Sequence, residues 1–174
     1  MSQINRIKGG LVNQKKSISF TFNGQILTGF EGDTLASALL ANNKKLVGRS
    51  FKYHRPRGIV TAGSEEPNAI MEIGNGAYKE PNTKATITEL YNGLEANSQN
   101  HRGPLGFDLM AITDFLSPLL GAGFYYKTFM WPKAFWEKFY EPAIRNAAGL
   151  GTLSTEADPD TYDKGFRYCD ILII

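Results

Sequence analysis

The dipeptide Asn23-Gly24 constrains this chain more than any other feature of its sequence. Before it, S-I-S-F-T-F (17–22) alternates polar and apolar residues, and after it Q-I-L-T-G-F (25–30) resumes an extended run. A period of two belongs to a strand with one buried face, and Asn-Gly between two such runs accepts the positive φ of a tight type I′ turn. The pattern predicts a β-hairpin. E-G-D-T (31–34) follows at once, where Asp33 or Thr34 can cap a helix whose residues Leu35, Ala38, Leu39 and Ala41 share an apolar face.

Further strands are predicted at 69–73 and 85–90, while 46–63, rich in Arg, Pro and Gly, reads as ordered loop with short extended pieces. Hairpin, crossing helix and added strands make an α+β fold with a small mixed sheet of β-grasp type. From Asn97 the texture changes. Phe115, Phe124, Tyr125, Tyr126, Phe129, Trp131, Phe135, Trp136, Phe139 and Tyr140 crowd into a segment broken by Gly and Pro. Each such ring buries about 150–250 Å² when covered, more than a short tail can supply from itself. The segment either wraps its own sheet or docks on another domain or subunit. Within it, Pro132 suits the first turn of a helix running to 148 with Gly149 as its stop, and Pro142 would kink or split that helix. Residues 151–165 read as a polar linker, and Y-C-D-I-L-I-I (168–174) as an apolar strand. That strand is either an edge or the start of a sheet that continues beyond 174, and continuation is the expectation.

Charge narrows the function classes. With 19 Lys and Arg against 17 Asp and Glu, the net charge of +2 is too small for the whole molecule to hold a polyanion, so any anion site is local. No acidic residue lies between Asp33 and Glu65, whereas Lys44, Lys45, Arg49, Lys52, Arg55 and Arg57 do. Arg49, Arg55 and Arg57, set among Pro and Gly, are candidates for a phosphate clamp, with a solvated run paired to Glu65 and Glu66 as the alternative. Nucleic acid is not the expected partner: Phe51 and Tyr53 interleave the basic residues, but Pro56 and Gly58 interrupt any stacking strand. His54 has no carboxylate partner visible nearby, so a hydrogen-bonding or packing role is expected for it.

The lone cysteine, Cys169, excludes an intrachain disulfide and an all-cysteine metal site, and its apolar surroundings predict a buried, inert thiol. His54 and His101 stand too far apart in the chain to suggest structural zinc. No G-x-S-x-G elbow surrounds a serine, and Glu65 and Glu66 are adjacent rather than opposed, so no catalytic residue is assigned. No run is long and apolar enough for a membrane span and no leader pattern opens the chain, so a cytoplasmic protein without membrane contact is expected.

The strings GFEGDTLASALLANNKKLVGRSFKYHRPRGIVTAGSEEPNAI, ATITELYNGLEANSQN, SPLLGAGFYYKTFMWP and YEPAIRNAAGLG together resemble the alpha subunits of heterotetrameric sarcosine oxidases, collinearly from about residue 24 onward. The resemblance implies a ferredoxin-like β-grasp domain over 1–96, an aromatic-rich helical segment over 97–150, the linker 151–165, and over 166–174 the first strand of a truncated Rossmann domain. It also implies that Thr61, Glu65 and Asn68 stand where cluster-binding relatives carry cysteines, so that the scaffold is kept without a two-iron, two-sulfur cluster. NAD, FAD and FMN are implied for the full complex. None is expected in the isolated chain, since no G-x-G-x-x-G loop follows the last strand. The implied partners are the rest of the alpha subunit and the beta, gamma and delta subunits. The implied reaction is oxidative demethylation of sarcosine to glycine, with tetrahydrofolate as one-carbon acceptor and hydrogen peroxide as product. This segment's share would be architectural, with Arg49, Arg55 and Arg57 facing a cofactor phosphate or tying the basic loop to a neighbouring domain. A free-standing β-grasp interaction module, or a subunit of an opine- or proline-type oxidase, are the alternatives.

Overall fold

The computed structural model describes residues 3–118, 121–123, 131–147, 149, 151–166 and 168–171. The expected hairpin forms: β1 (Asn13–Phe22) runs antiparallel to β2 (Gln25–Glu31), with Phe22 opposite Gln25 and positive φ at Asn23 (48°) and Gly24 (75°). The alternation holds in three dimensions, since Phe20, Phe22 and Leu27 are buried. Asn23 also acts at long range, because its side-chain oxygen accepts the backbone N–H of Ser98 at 2.8 Å and so fastens the turn to a distant strand.

The helix α1 (Leu35–Ala41) follows with Thr34 as its cap, the Thr34 hydroxyl accepting the Ser37 N–H at 3.2 Å. It ends on Asn43 at φ 60°, where the N–H groups of Asn43 and Lys44 turn back to the carbonyls of Leu40 and Leu39. This left-handed closure satisfies two carbonyls that a helix end would leave open, and asparagine tolerates it. Leu35, Ala36, Ala38, Leu39 and Ala41 face the sheet and are buried.

A small hairpin of β3 (Gly48–Arg49) and β4 (Pro56–Arg57) precedes β5 (Ile70–Ile73), β6 (Glu80–Lys84) and β7 (Glu95–Ser98). The main sheet has the order β2-β1-β7-β5-β6, with β1 and β7 parallel and the other pairs antiparallel. The strand predicted at 85–90 is a correction. The edge strand is instead β6, and 85–90 turns beneath α1, where the carbonyls of Ala85 and Thr88 accept the N–H groups of Ala36 and Leu35. Those first-turn N–H groups have no partner within the helix, so the segment's carbonyls are drawn to them rather than to a ladder. Apolar alternation there marks burial of Ala85 and Leu90, not strand pairing.

Beyond the sheet, residues 109–114 form a 3₁₀ turn capped by Asp108. A second 3₁₀ turn (Lys133–Phe135) leads into a widened π turn (Trp136–Tyr140) and then the helix α2 (Glu141–Ala147). The widening lies just ahead of Pro142, whose ring cannot sit against the carbonyl four residues back and which has no N–H to donate. Phe115, Trp131 and Phe139 remain 86%, 83% and 59% exposed. Phe124, Tyr125, Tyr126 and Phe129 lie outside the described residues, as do 172–174. Residues 168–171 carry no strand, and Cys169 is exposed, which corrects the expectation of a buried thiol. No helix among the described residues is long and apolar enough to cross a membrane.

Candidate functional site

Chemistry-bearing side chains gather on the loops at one end of the sheet, in three arrangements. The first is the loop 60–68. Its centre is Glu66, 0% exposed, whose carboxylate accepts the N–H groups of Val60 (2.9 Å), Thr61 (2.7 Å) and Asn68 (2.8 Å) and the Thr61 hydroxyl (3.2 Å). Burial pushes the Glu66 carboxyl toward its neutral form, but the converging backbone donors outweigh it and hold the group below the usual 4.5. Glu65, its neighbour, is exposed.

The second arrangement joins His54 to Asp108. His54 Nδ1 lies 2.6 Å from Asp108 Oδ2, both side chains being buried, and the other Asp108 oxygen accepts the N–H groups of Arg102 (2.9 Å) and Met110 (3.0 Å). Burial opposes the charge on Asp108, and those donors with the imidazole more than offset it, so its carboxyl stays below the usual 3.8. An ionised carboxylate only accepts, so Nδ1 carries the proton. The His54 backbone is left-handed (φ 52°), a region uncommon for non-glycine residues in which histidine is among the more frequent. Here Ser50 holds it: its carbonyl accepts the His54 N–H, and its hydroxyl accepts the Arg55 N–H. The His54 ring also lines a cavity of about 350 Å³ together with Lys79, His101 and Arg102. Sequence reading found His54 but missed Asp108, 54 positions away. The only available signal was D-L-M-A, an aspartate placed to cap a turn.

The third arrangement is the basic loop, which the structure divides. Arg49 donates twice to the Leu105 carbonyl (2.9 and 2.6 Å) and once to that of His54 (3.2 Å), so its fork ties two loops together. Arg55 pairs with Asp114 at 2.6 Å on the surface and stacks over the Tyr53 ring, 4.7 Å from its centroid. Arg57 is exposed. Arg49 and Arg57 line one cavity of about 330 Å³ with Phe51, Asn68 and Asn82, and Arg55 is not part of it. Asn100, which borders both cavities, has a buried side-chain oxygen without a partner among the described residues.

Residues 15–101 match the family described as 2Fe-2S iron-sulfur cluster binding domain. Over all 174 residues the chain is 62% identical to sarcosine oxidase subunit alpha of Rhizobium meliloti (strain 1021), spanning 18% of that protein. It is 39% identical over 100 residues to sarcosine oxidase subunit alpha of Corynebacterium sp. (strain U-96), which covers 56% of this chain and 10% of that one. Among solved structures, L-proline dehydrogenase from P. horikoshii is similar with a TM-score of 0.43 and 25% identity over 57% of this chain and 18% of that one. The residues present do not fit the cluster that the family description implies. A two-iron, two-sulfur centre takes about four soft ligands, whereas the sequence holds one cysteine, Cys169, and none within the matched residues 15–101.

Proposed function

The chain belongs to the family of 2Fe-2S iron-sulfur cluster binding domains, and we propose that it is the N-terminal portion of a sarcosine oxidase alpha subunit, where it covers and docks rather than reacts. The observation that carries this reading is the identity of 62% running over the whole chain, ferredoxin-like sheet and aromatic segment alike. A matching sheet alone would speak only for a scaffold. In the complete complex the reaction would be oxidative demethylation of sarcosine to glycine, for which a flavin held outside this chain would supply the redox chemistry, tetrahydrofolate would accept the one-carbon unit, and hydrogen peroxide would be a product.

This chain's contribution is made by its surfaces. The exposed rings of Phe115, Trp131 and Phe139 form apolar area suited to burial against the rest of the alpha subunit or the beta, gamma and delta subunits. In the full subunit the run 168–174 would supply a strand to a dinucleotide-binding sheet, where neighbouring strands would satisfy its backbone groups. In the basic loop, Arg49 and Arg55 act as ties. Arg57 is exposed and lines a cavity, which supports a role for it toward a phosphate of NAD, FAD or FMN.

Mixing this chain with the remainder of the complex, then following co-elution and flavin absorbance, tests the proposal. Co-elution with restored sarcosine turnover is expected. A chain that stays apart supports the free-standing interaction module, and preference for proline or an opine supports a kindred oxidase. Replacing Arg49, Arg55 and Arg57 by Gln in the complete enzyme should lower bound cofactor or weaken assembly, and unchanged cofactor content with intact assembly removes them from the site.

A further inference from the structure

We infer that the Glu66 carboxylate serves in this chain as the internal anion around which the cluster-type loop folds, in the place that an iron–sulfur cluster takes in cluster-binding members of the family. The inference rests on membership of that family and is independent of the sarcosine oxidase reading.

A loop that holds such a cluster supplies two things: thiolates for the iron, and backbone N–H groups turned inward toward the negative sulfurs. Here the first is gone and the second remains. The N–H groups of Val60 and Thr61 reach one oxygen of Glu66 from one flank, and that of Asn68 reaches the other oxygen from the opposite flank. Thr61 is itself a position where the family resemblance places a cluster cysteine. Its side chain is no thiolate, and its backbone N–H holds an anion.

The carboxylate is fully buried and none of the groups acting on it is a cation. A buried charge without a counter-ion persists only where hydrogen bonds replace its water. Four donors do so here, all from the loop 60–68 itself. Without the carboxylate the loop would leave inward N–H groups unsatisfied, a cost of the same kind as a lost hydrogen bond each. The anion and the loop therefore stabilise each other. The loop is also tied outward: the Gly63 carbonyl accepts the Thr86 hydroxyl at 2.7 Å, and the Ser64 carbonyl accepts Lys84 Nζ. Its end leads directly into Ala69 and Met71, both 0% exposed. Glu66 thus closes the rim of the core that a cluster would otherwise seal. Counted from Thr61 with the C-x4-C-x2-C spacing of plant-type clusters, the second ligand position falls on Glu66 itself, which is buried while Glu65 is exposed.

The test uses the complete protein containing this chain. Glu66→Met keeps the volume and removes both acceptors, and Glu66→Gln keeps one acceptor oxygen. Amide exchange over 59–68 should quicken about tenfold or more in Glu66→Met and less in Glu66→Gln, with the β1–β2 hairpin unchanged in both. Equal protection in wild type and Glu66→Met would mean that the side chain merely fills space, and would overturn the inference. If Glu66→Met does not fold, Glu66→Gln decides alone: faster exchange on one flank of the loop supports the inference, and unchanged exchange on both sinks it. Independently, anaerobic incubation of the wild-type protein with ferrous iron and sulfide should leave no cluster bound by this loop. A stoichiometric cluster whose visible absorbance is lost on Thr61→Val would also overturn the inference.

Discussion

The sheet with its helix and the segment that begins near Asp108 handle their aromatic and charged residues in opposite ways. In the sheet, Phe20 and Phe22 are 1% and 4% exposed, whereas Phe115 and Trp131 in the later segment are 86% and 83% exposed. The ion pairs divide likewise. Arg6–Asp33 and Arg55–Asp114 both close to 2.6 Å, but the first pair's side chains are 16% and 0% exposed and the second pair's 54% and 43%. Equal distance is not equal energy, because water screens the second pair and hardly reaches the first. The sheet region spends its apolar and polar groups on itself, and the segment keeps its own for something else.

The largest effect that would sharpen the contrast is Leu39→Ala. Leu39 is fully buried between helix and sheet, so its truncation should cost about 3 kcal/mol in urea denaturation. A loss under about 1 kcal/mol would say that the core is loosely packed and would blur the distinction between the regions. Next comes Arg6→Leu. It strands a carboxylate that otherwise receives both arms of the Arg6 guanidinium (2.7 and 2.6 Å), and should cost about 2–3 kcal/mol. Arg55→Gln, the matching change at the exposed pair, should stay within about 0.5 kcal/mol, and comparable losses at the two sites would break the comparison.

Acid should act chiefly on the buried carboxylates of the first region and on Asp108, where the two regions meet. Burial works against the charge of Glu66, Asp33 and Asp108, yet hydrogen bonds and, for Asp33, the Arg6 guanidinium hold all three carboxyls below their usual values of 4.5 and 3.8. The unfolded chain then binds protons more readily than the folded one in that range. Stability from these groups should be complete above about pH 5 and fall as pH drops through the folded values. Urea midpoints recorded from pH 7 downward check the sign, and a midpoint that rises on acidification would contradict it. Asp158 in the later segment is also held low, by Tyr162 and the Asp160 N–H, but it is fully exposed and should not contribute to that loss.

Smaller than the two buried changes, Thr34→Ala removes the helix cap and should cost about 1 kcal/mol. Smallest of all, Trp131→Ser and Phe139→Ser should shift the stability of this chain to urea by less than about 0.5 kcal/mol while weakening co-elution with the rest of the complex. Destabilisation of the lone chain by either change would show that the rings already serve its own fold.

Legibility followed distance along the chain. Asn23-Gly24, the Thr34 cap and the apolar face of α1 depend on neighbours one to four residues away, and each was readable. The polar strands β6 (EPNTK) and β7 (EANS) were not, because neither has apolar alternation. Pairing of β7 with β1 and β5 makes it central, with only Ala96 and Ser98 buried. The candidate sites split on the same line. Arg49, Arg55 and Arg57 were visible as a cluster, but that Arg49 is consumed by the Leu105 carbonyl and Arg55 by Asp114 depends on partners 56 and 59 positions away.

By itself, then, the sequence settled the hairpin, the capped helix and the lack of thiols for a cluster, since turn conformation, capping and ligand chemistry belong to residue types and short spacings. Only the tertiary structure decided that Glu66 rather than Glu65 turns inward, that His54 meets Asp108, and that Arg6 closes on Asp33. Each of those pairings is made by burial, which strips water from a charged group and leaves it no choice but the nearest donor that the fold brings up.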